Sequence, residues 1–511
     1  MSGMREGVWP IAAAGVAAIS AISLFASSSS STSLWSSSSA STSVSADELP
    51  PLSPVAYAAT PSDIPIVFVP GMRGTHLAQI LTPDSLNSSS SSSSTSPVPP
   101  SSNSPLLSAP TMSVSSSTAS PTSFSPVRSS SSPSSSSSSS CRRRVYLTAK
   151  QALLPWLTAS ECAALPLPMR WHRLPDAQVQ QGDYPYRQEH DDVVPDEVME
   201  AVGFVPVYRP LLALGRELSA HRRRPFYAFA YDWRRDNLES VQRLLCFVME
   251  VSRAHGHRPV QVVAHSMGGT LTLAAMHQRP DLFAGVLLAG VPTGPSVAFL
   301  EDLHLGAVAG LSRRVYAPEA TFTYPSSFFT FPLTAELDGP PWHTGLFHLG
   351  SGDDPCRLSE QSSARWHDAA WWRQHRLSVF ADRSLTPAQL DQAERHLEHC
   401  LRRAAQYRHA FVPRRGFSYP PLATLASYAQ PTKHVALLDG PRAVRGLDFE
   451  SAERVPGDGR VVYELSGLPH YVPHLHYTTR LAHTDLLNDT ELIVRILNRL
   501  LHERSLRGHT V

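Results

Sequence analysis

The run Val262-Val263-Ala264-His265-Ser266-Met267-Gly268-Gly269 sets a serine between a β-branched strand, Val260 to Ala264, and a helix expected over Met267 to Gln278. Small residues stand two before and two after the serine, where a tight strand-to-helix turn has no room for bulky side chains. Such a turn lifts the serine oxygen out of the sheet. The helix behind it aims its unpaired amides and positive dipole end at the same point. The chemistry this serves is acyl transfer through a serine ester, with Ser266 as nucleophile. The plain alternative is a tight βα turn with an inert serine.

A hydroxyl is a poor nucleophile without a base. After a turn of this kind, an acid and then a histidine are expected further along the chain. Two acids qualify: Asp458, between Gly457 and Gly459, and Asp439, at the end of the strand expected over Val435 to Leu438. Among His470, His474, His476 and His483, the last stands just before the final helix, where the base is expected. His474-x-His476 has no acidic or cysteine partner at suitable spacing, so both are read as surface histidines and no metal is expected. The developing oxyanion needs donors. The amide of Met267, directly after the nucleophile, is one. Pro70-Gly71-Met72-Arg73-Gly74 follows the short apolar run Pro65 to Val69, and its glycines let the backbone approach a ligand, so Met72 is the expected second donor.

These residues need a scaffold. Tyr208 to Ala220 and Leu238 to Ala254 read as helices, and Phe226 to Tyr231 and Val286 to Ala289 as strands. The βαβαβ order implies a mostly parallel sheet with helices on both faces. From about 292 to 431 the alternation is lost among aromatics, prolines and histidines, and this stretch reads as a cap over the sheet. Asn488 with Glu491 resembles a cap box opening a closing helix.

Four stretches together resemble the lecithin:cholesterol acyltransferase family, with its phospholipid:diacylglycerol acyltransferases and phospholipases. They are Val69 to Leu77, Tyr231-Asp232-Trp233-Arg234, His265 to Gly269, and Gly457 to Val461 with His483 to Leu487. The resemblance implies the α/β-hydrolase fold with a cap or lid insertion. It also implies that Asp458 and His483 complete a triad with Ser266. The chain departs from the family in having Ala264 for the usual glycine and Arg460 where threonine is common. The function implied is a serine-dependent lipid O-acyltransferase moving a fatty acyl chain from a phospholipid to a lipid hydroxyl. The alternatives are a lipase or phospholipase using water, and a non-catalytic lipid-binding protein on a decayed hydrolase fold. Phospholipid and neutral lipids are the expected partners, at a membrane or lipid surface, with no cofactor.

Composition narrows the classes. At 511 residues the chain exceeds a single ordinary core, and a net charge of +1 offers no field for a nucleic-acid backbone. The runs Arg142 to Arg144 and Arg222 to Arg224 read as solvated surface. Residues 1–60 read as an N-terminal segment, in which the uncharged Val8 to Ala26 suggests a secretory signal or anchor ahead of a serine-rich linker. Residues 61–511 read as the hydrolase domain, interrupted at 87–140 by a Ser/Pro/Thr-rich tract expected to be disordered. Five cysteines leave at least one thiol free, and Cys246 reads as buried in an apolar helix face. Ala152 to Leu157 and Met169 to Trp171 are candidates for touching lipid.

Overall fold

A computed structural model describes residues 53–81, 142–153, 164–176, 179, 184–309, 312–333, 347–348, 366–438, 440–451 and 454–507. Strands β1 (Ile66–Val69), β2 (Phe226–Ala228), β3 (Val260–His265), β4 (Phe283–Ala289), β5 (Leu422–Ser427) and β6 (Leu475–Thr479) form one sheet in the order β6-β5-β4-β3-β1-β2. Every pairing is parallel. The helices that matter here are α1 (Arg209–Ala220), α2 (Asn237–Ala254), α3 (Met267–Gln278), α4 (Val297–Leu305), α5 (Pro387–Phe411) and α6 (Thr490–Leu506).

Alternate residues of each strand point to opposite faces, and along β1, β3, β4 and β5 both faces are buried. Ile66 and Phe68 join Val263, Leu287 and Leu425 under α1 and α6. Val67 and Val69 join Val262, Ala264 and Leu288 under α2 and α3. This is the doubly covered parallel sheet of the α/β hydrolases. Val69 pairs with Ala264 and Ala264 with Leu288, so β1, β3 and β4 end level with one another. The loops that leave them therefore meet at one edge, where open α/β sheets place their ligands.

Part of the cap region packs separately. Val297, Leu300 and Leu303 of α4 meet Phe322, Phe328, Phe331, Trp366 and Trp372, with Leu397 and Leu401 of α5, in a core of their own. A capping box of Thr386 and Gln389 opens α5, with Pro387 at its first position.

Several expectations are corrected. The sheet's fifth strand is Leu422–Ser427, inside the span 292–431 assigned to the cap. Ala436–Leu438 lies instead in a small sheet with Phe347–His348 and Leu447–Asp448. Leu-Ala-Thr-Leu-Ala-Ser has few β-branched residues, so burial rather than propensity makes it a strand. The cap of α6 is Asp489, which accepts from the Leu492 amide, and not Asn488. Cys246 is exposed, because it sits about 100° round the helix from Leu245. Arg224 is buried rather than solvated, and its guanidinium donates to Gln261 Oε1 at 2.6 Å. Trp171 is half-buried, and its indole donates to His396 Nδ1 at 3.1 Å and stacks on His399. Residues 1–52 of the N-terminal segment, the serine tracts and residues 154–157 lie outside the described residues, as do Cys141, Cys162 and Cys356.

Thr75–Ile80 and Arg142–Tyr146 are antiparallel neighbours, and Ile80 pairs with Arg142. The ends of the intervening segment thus leave from adjacent positions. Replacing 83–140 with a short Gly/Ser turn is expected to hold the melting temperature at or slightly above wild type. Shortening a closed loop about tenfold lowers its closure cost by about 2 kcal/mol. A fall of several degrees would show that the segment supplies contacts the fold needs.

Candidate active site

Ser266 joins β3 to α3 with φ 52° and ψ −129°. A non-glycine residue in that region is strained by roughly 1–3 kcal/mol and persists only where its surroundings over-determine it. They do so here. The Ser266 amide donates to Ala289 O at 2.9 Å, and the Gly269 amide returns to Ser266 O at 2.9 Å. A Cβ on Gly268 would lie 2.4 Å from Pro70 O, so the helix start and the 70–74 loop touch only because that side chain is missing.

His483 opens a short turn, His483–Asp485, ahead of α6. Its Nε2 lies 3.0 Å from Ser266 Oγ, and its Nδ1 lies 2.7 Å from Asp458 Oδ2. The His483 amide also donates to Asp458 O at 2.8 Å, which fixes the two main chains together. Asp458 Oδ1 accepts the amides of Arg460 and Val461 at 2.9 and 2.7 Å. Burial alone would raise the Asp458 pKa, but the His483 imidazole and these amides outweigh it and hold the carboxyl below its ordinary range. An ionised Asp458 only accepts. Nδ1 therefore carries the proton, and Nε2 is left to accept from the serine hydroxyl.

The structure thus brings together the serine, one of the two acids and one of the four histidines named from sequence. Asp439 lies outside the described residues. His476 is on the edge strand β6 and bonds Thr424 Oγ1 at 2.7 Å and Tyr463 Oη at 3.0 Å. His474 Nδ1 is engaged by Val472 O at 2.7 Å. Gly290 was not picked out from sequence. It follows β4 with φ 57°, and a Cβ there would stand 3.1 Å from Asp458 Oδ2 and 3.3 Å from His483 Nδ1. The signal for it was a glycine directly after a buried strand.

The 70–74 loop is held on all sides. Tyr231 Oη donates to Pro70 O at 3.0 Å, and Tyr146 Oη donates to Arg73 O at 3.2 Å. The Gly71 amide donates to Tyr208 Oη at 3.1 Å, and the Met199 amide to Gly74 O at 2.9 Å. The Met72 amide has no acceptor among the described residues. The Met267 amide, first in its helix, has no intrahelical acceptor by position. The Tyr-Asp-Trp-Arg motif now has a physical role. Tyr231 and Trp233, whose Nε1 donates to Thr75 O at 3.1 Å, brace the loop. Asp232 grips the buried Arg234 through Nε and Nη2 at 3.0 and 2.7 Å, and Arg234 reaches Leu165 O at 2.8 Å.

Residues 210–291 match the family described as lecithin:cholesterol acyltransferase, a stretch that includes Ser266 but neither Asp458 nor His483. An uncharacterized protein of Saccharomyces cerevisiae is 25% identical over 144 residues, which is 28% of this chain and 21% of that protein. The chain therefore spans about a fifth of that relative's length. A chain of the Tle4–Tli4 complex is 13% identical, covering 68% of this chain and 76% of its own, with a TM-score of 0.39. Bacillus licheniformis lipase BlEst2 in its mature form is 13% identical, covering 56% and 83%, with a TM-score of 0.27. The chain is similar to the lecithin:cholesterol acyltransferase family over the matched stretch, on an α/β-hydrolase fold.

Asp458→Asn is expected to lower ester turnover on the order of 10⁴-fold while the protein stays folded, because the imidazole loses the carboxylate that fixes its tautomer. Asp439→Asn is expected to leave turnover near wild type. Steady-state kinetics with melting curves checks both, and the reverse ranking would move the acid to Asp439.

Proposed function

We propose that this chain is a serine-dependent lipid O-acyltransferase, with Ser266, His483 and Asp458 as its triad and the Met72 and Met267 amides as its oxyanion donors. The observation that supports it most directly is the continuous relay from Ser266 Oγ to His483 Nε2 at 3.0 Å and from His483 Nδ1 to Asp458 Oδ2 at 2.7 Å. In this reading His483 Nε2 takes the hydroxyl proton as Oγ attacks the ester carbonyl of a phospholipid. The two amides receive the carbonyl oxygen's charge. The intermediate collapses when Nε2–H protonates the departing lysophospholipid oxygen, leaving an acyl ester on Ser266. A lipid hydroxyl then gives its proton to Nε2 and attacks the acyl carbonyl, and Nε2–H returns a proton to Ser266 Oγ as that oxygen leaves.

The acceptor distinguishes this from hydrolysis. An alcohol held at the site gains several kcal/mol over bulk water through proximity. The cap's aromatic residues pack in a core of their own, and a lipid alcohol held between that unit and the triad is part of the proposal. A lipid surface is the proposed workplace. The secretory or membrane-associated placement suggested by residues 8–26 belongs to the same proposal. Among the described residues no helix is long and apolar enough to cross a membrane.

Two outcomes are expected. Ser266→Ala should lose both fluorophosphonate labelling and ester cleavage, on the order of 10⁴-fold or more, because triad members act as a unit. Wild-type protein mixed with acyl-labelled phosphatidylcholine vesicles containing sterol or diacylglycerol should form labelled neutral ester faster than free fatty acid. Free fatty acid as sole product across these acceptors would favour the phospholipase reading. Normal labelling of Ser266→Ala would remove the nucleophile.

A further inference from the structure

The amide of Met72 is flanked by two residues that are fastened to side chains outside the triad. On one side is Gly71. Its amide donates to Tyr208 Oη, which in turn lies 2.8 Å from His265 Nδ1. His265 Nε2 lies 2.9 Å from the main-chain carbonyl of His483. A carbonyl only accepts, so Nε2 of His265 carries the proton and Nδ1 must accept from the Tyr208 hydroxyl. Burial, and next the neighbouring His483, push the His265 pKa down to about 3, so this donor order persists at neutral pH. One chain of hydrogen bonds therefore runs from the 70–74 loop, under the nucleophile turn, to the backbone of His483.

On the other side is Arg73. Its Nη2 lies 2.9 Å from Asp302 Oδ2, and its guanidinium sits 3.8 Å over the Tyr316 ring. Asp302 belongs to α4, the first helix of the cap, and is buried. The same Oδ2 accepts from Arg460 Nη2 at 2.9 Å, with Oδ1 at 3.3 Å from Arg460 Nη1. Arg460 stands two residues beyond Asp458, and its amide holds Asp458 Oδ1. Burial opposes the Asp302 charge, but the Arg460 and Arg73 guanidiniums keep it ionised. A second bridge thus runs from the loop, through the cap helix, to the acid.

We propose that Tyr208 and Asp302 are positioning residues for the Met72 amide, each fastening one side of the 70–74 loop to the arm that carries Asp458 and His483. The proposal rests on the reading of Ser266 as nucleophile and Met72 as oxyanion donor. An oxyanion donor acts only if its N–H already points where charge will develop. Met72 lies one residue from each tether, so neither tether alone fixes its peptide plane. Arg73 itself sits at φ 68°, a conformation that an untethered arginine would leave.

The test uses the full chain, a water-soluble short-chain p-nitrophenyl ester and a fluorophosphonate. Active sites are counted by phosphonate titration, so kcat is per competent site. Tyr208→Phe removes the acceptor of the Gly71 amide, and Asp302→Asn removes the charge shared by the two arginines. Each is expected to lower kcat about 10- to 100-fold, the scale of weakening one oxyanion donor. KM should stay within about threefold, and phosphonate inactivation should slow in parallel with kcat. The double variant should lose less than the product of the two, because both tethers act on one amide. Should Asp302→Asn not fold, Arg73→Gln cuts the same tether while leaving Asp302 paired with Arg460, and the same kcat loss is expected. Lower melting temperature with unchanged kcat per titrated site would assign both residues to structure alone and overturn the proposal. Strict multiplicativity would also overturn it. Wild-type protein that fails to label at Ser266 would instead remove the reading on which it rests.

Discussion

The site depends on one backbone conformation, the left-handed Ser266 at the carboxyl end of β3. A residue held there points its side chain away from both the strand and the helix, so Oγ stands clear of the sheet. The strain is tolerated because the turn is trapped between rigid elements. Ala289 of the next strand binds its amide, and the 70–74 loop presses on Gly268 from the other side. Those contacts exist only because β1, β3 and β4 are parallel and end level. Loosening the register by one residue would invert every inward side chain and move all three loops at once.

The polar groups at that edge follow a common rule. Nearly all are paired, and the pairing is made by residues far apart in sequence. Tyr146, Tyr208 and Tyr231 each spend a hydroxyl on the 70–74 loop. Asp458 satisfies one oxygen with backbone amides and offers the other to His483. In a buried setting an unpaired group would cost about 1–3 kcal/mol, so such a network favours one arrangement over its neighbours. The Met72 and Met267 amides stand out against it, since neither has a protein acceptor among the described residues.

Much of this was legible in the sequence because local physics and global fold agree there. Val260 to His265 holds three valines, the residues two before and two after Ser266 are small, and Met267–Gln278 is a helix between the expected bounds. Agreement failed where long-range packing decides. Leu422–Ser427 becomes a buried central strand despite weak strand propensity. Asp458 could not be separated from Asp439 by spacing alone, since a loop carboxylate reveals its partner only when the loop is placed. The bridge from Arg73 through Asp302 to Arg460 joins three stretches far apart in sequence, Asp302 and Arg460 by 158 residues, and no local pattern marks it. Arg460 read as a departure from a family pattern, whereas its guanidinium is one end of that bridge. Gly290 is similar, being needed for the space that Asp458 and His483 occupy and not for its own strand.

The most direct test of the account is to trap the covalent intermediate. Wild-type protein mixed with acyl-labelled phosphatidylcholine vesicles, quenched in acid within the first turnovers and digested, should carry one acyl group on the peptide containing Ser266. Ser266→Ala treated alike should carry none. Turnover without any acyl-peptide, or label confined to the exposed Cys246 in both proteins, would contradict an acyl-serine mechanism.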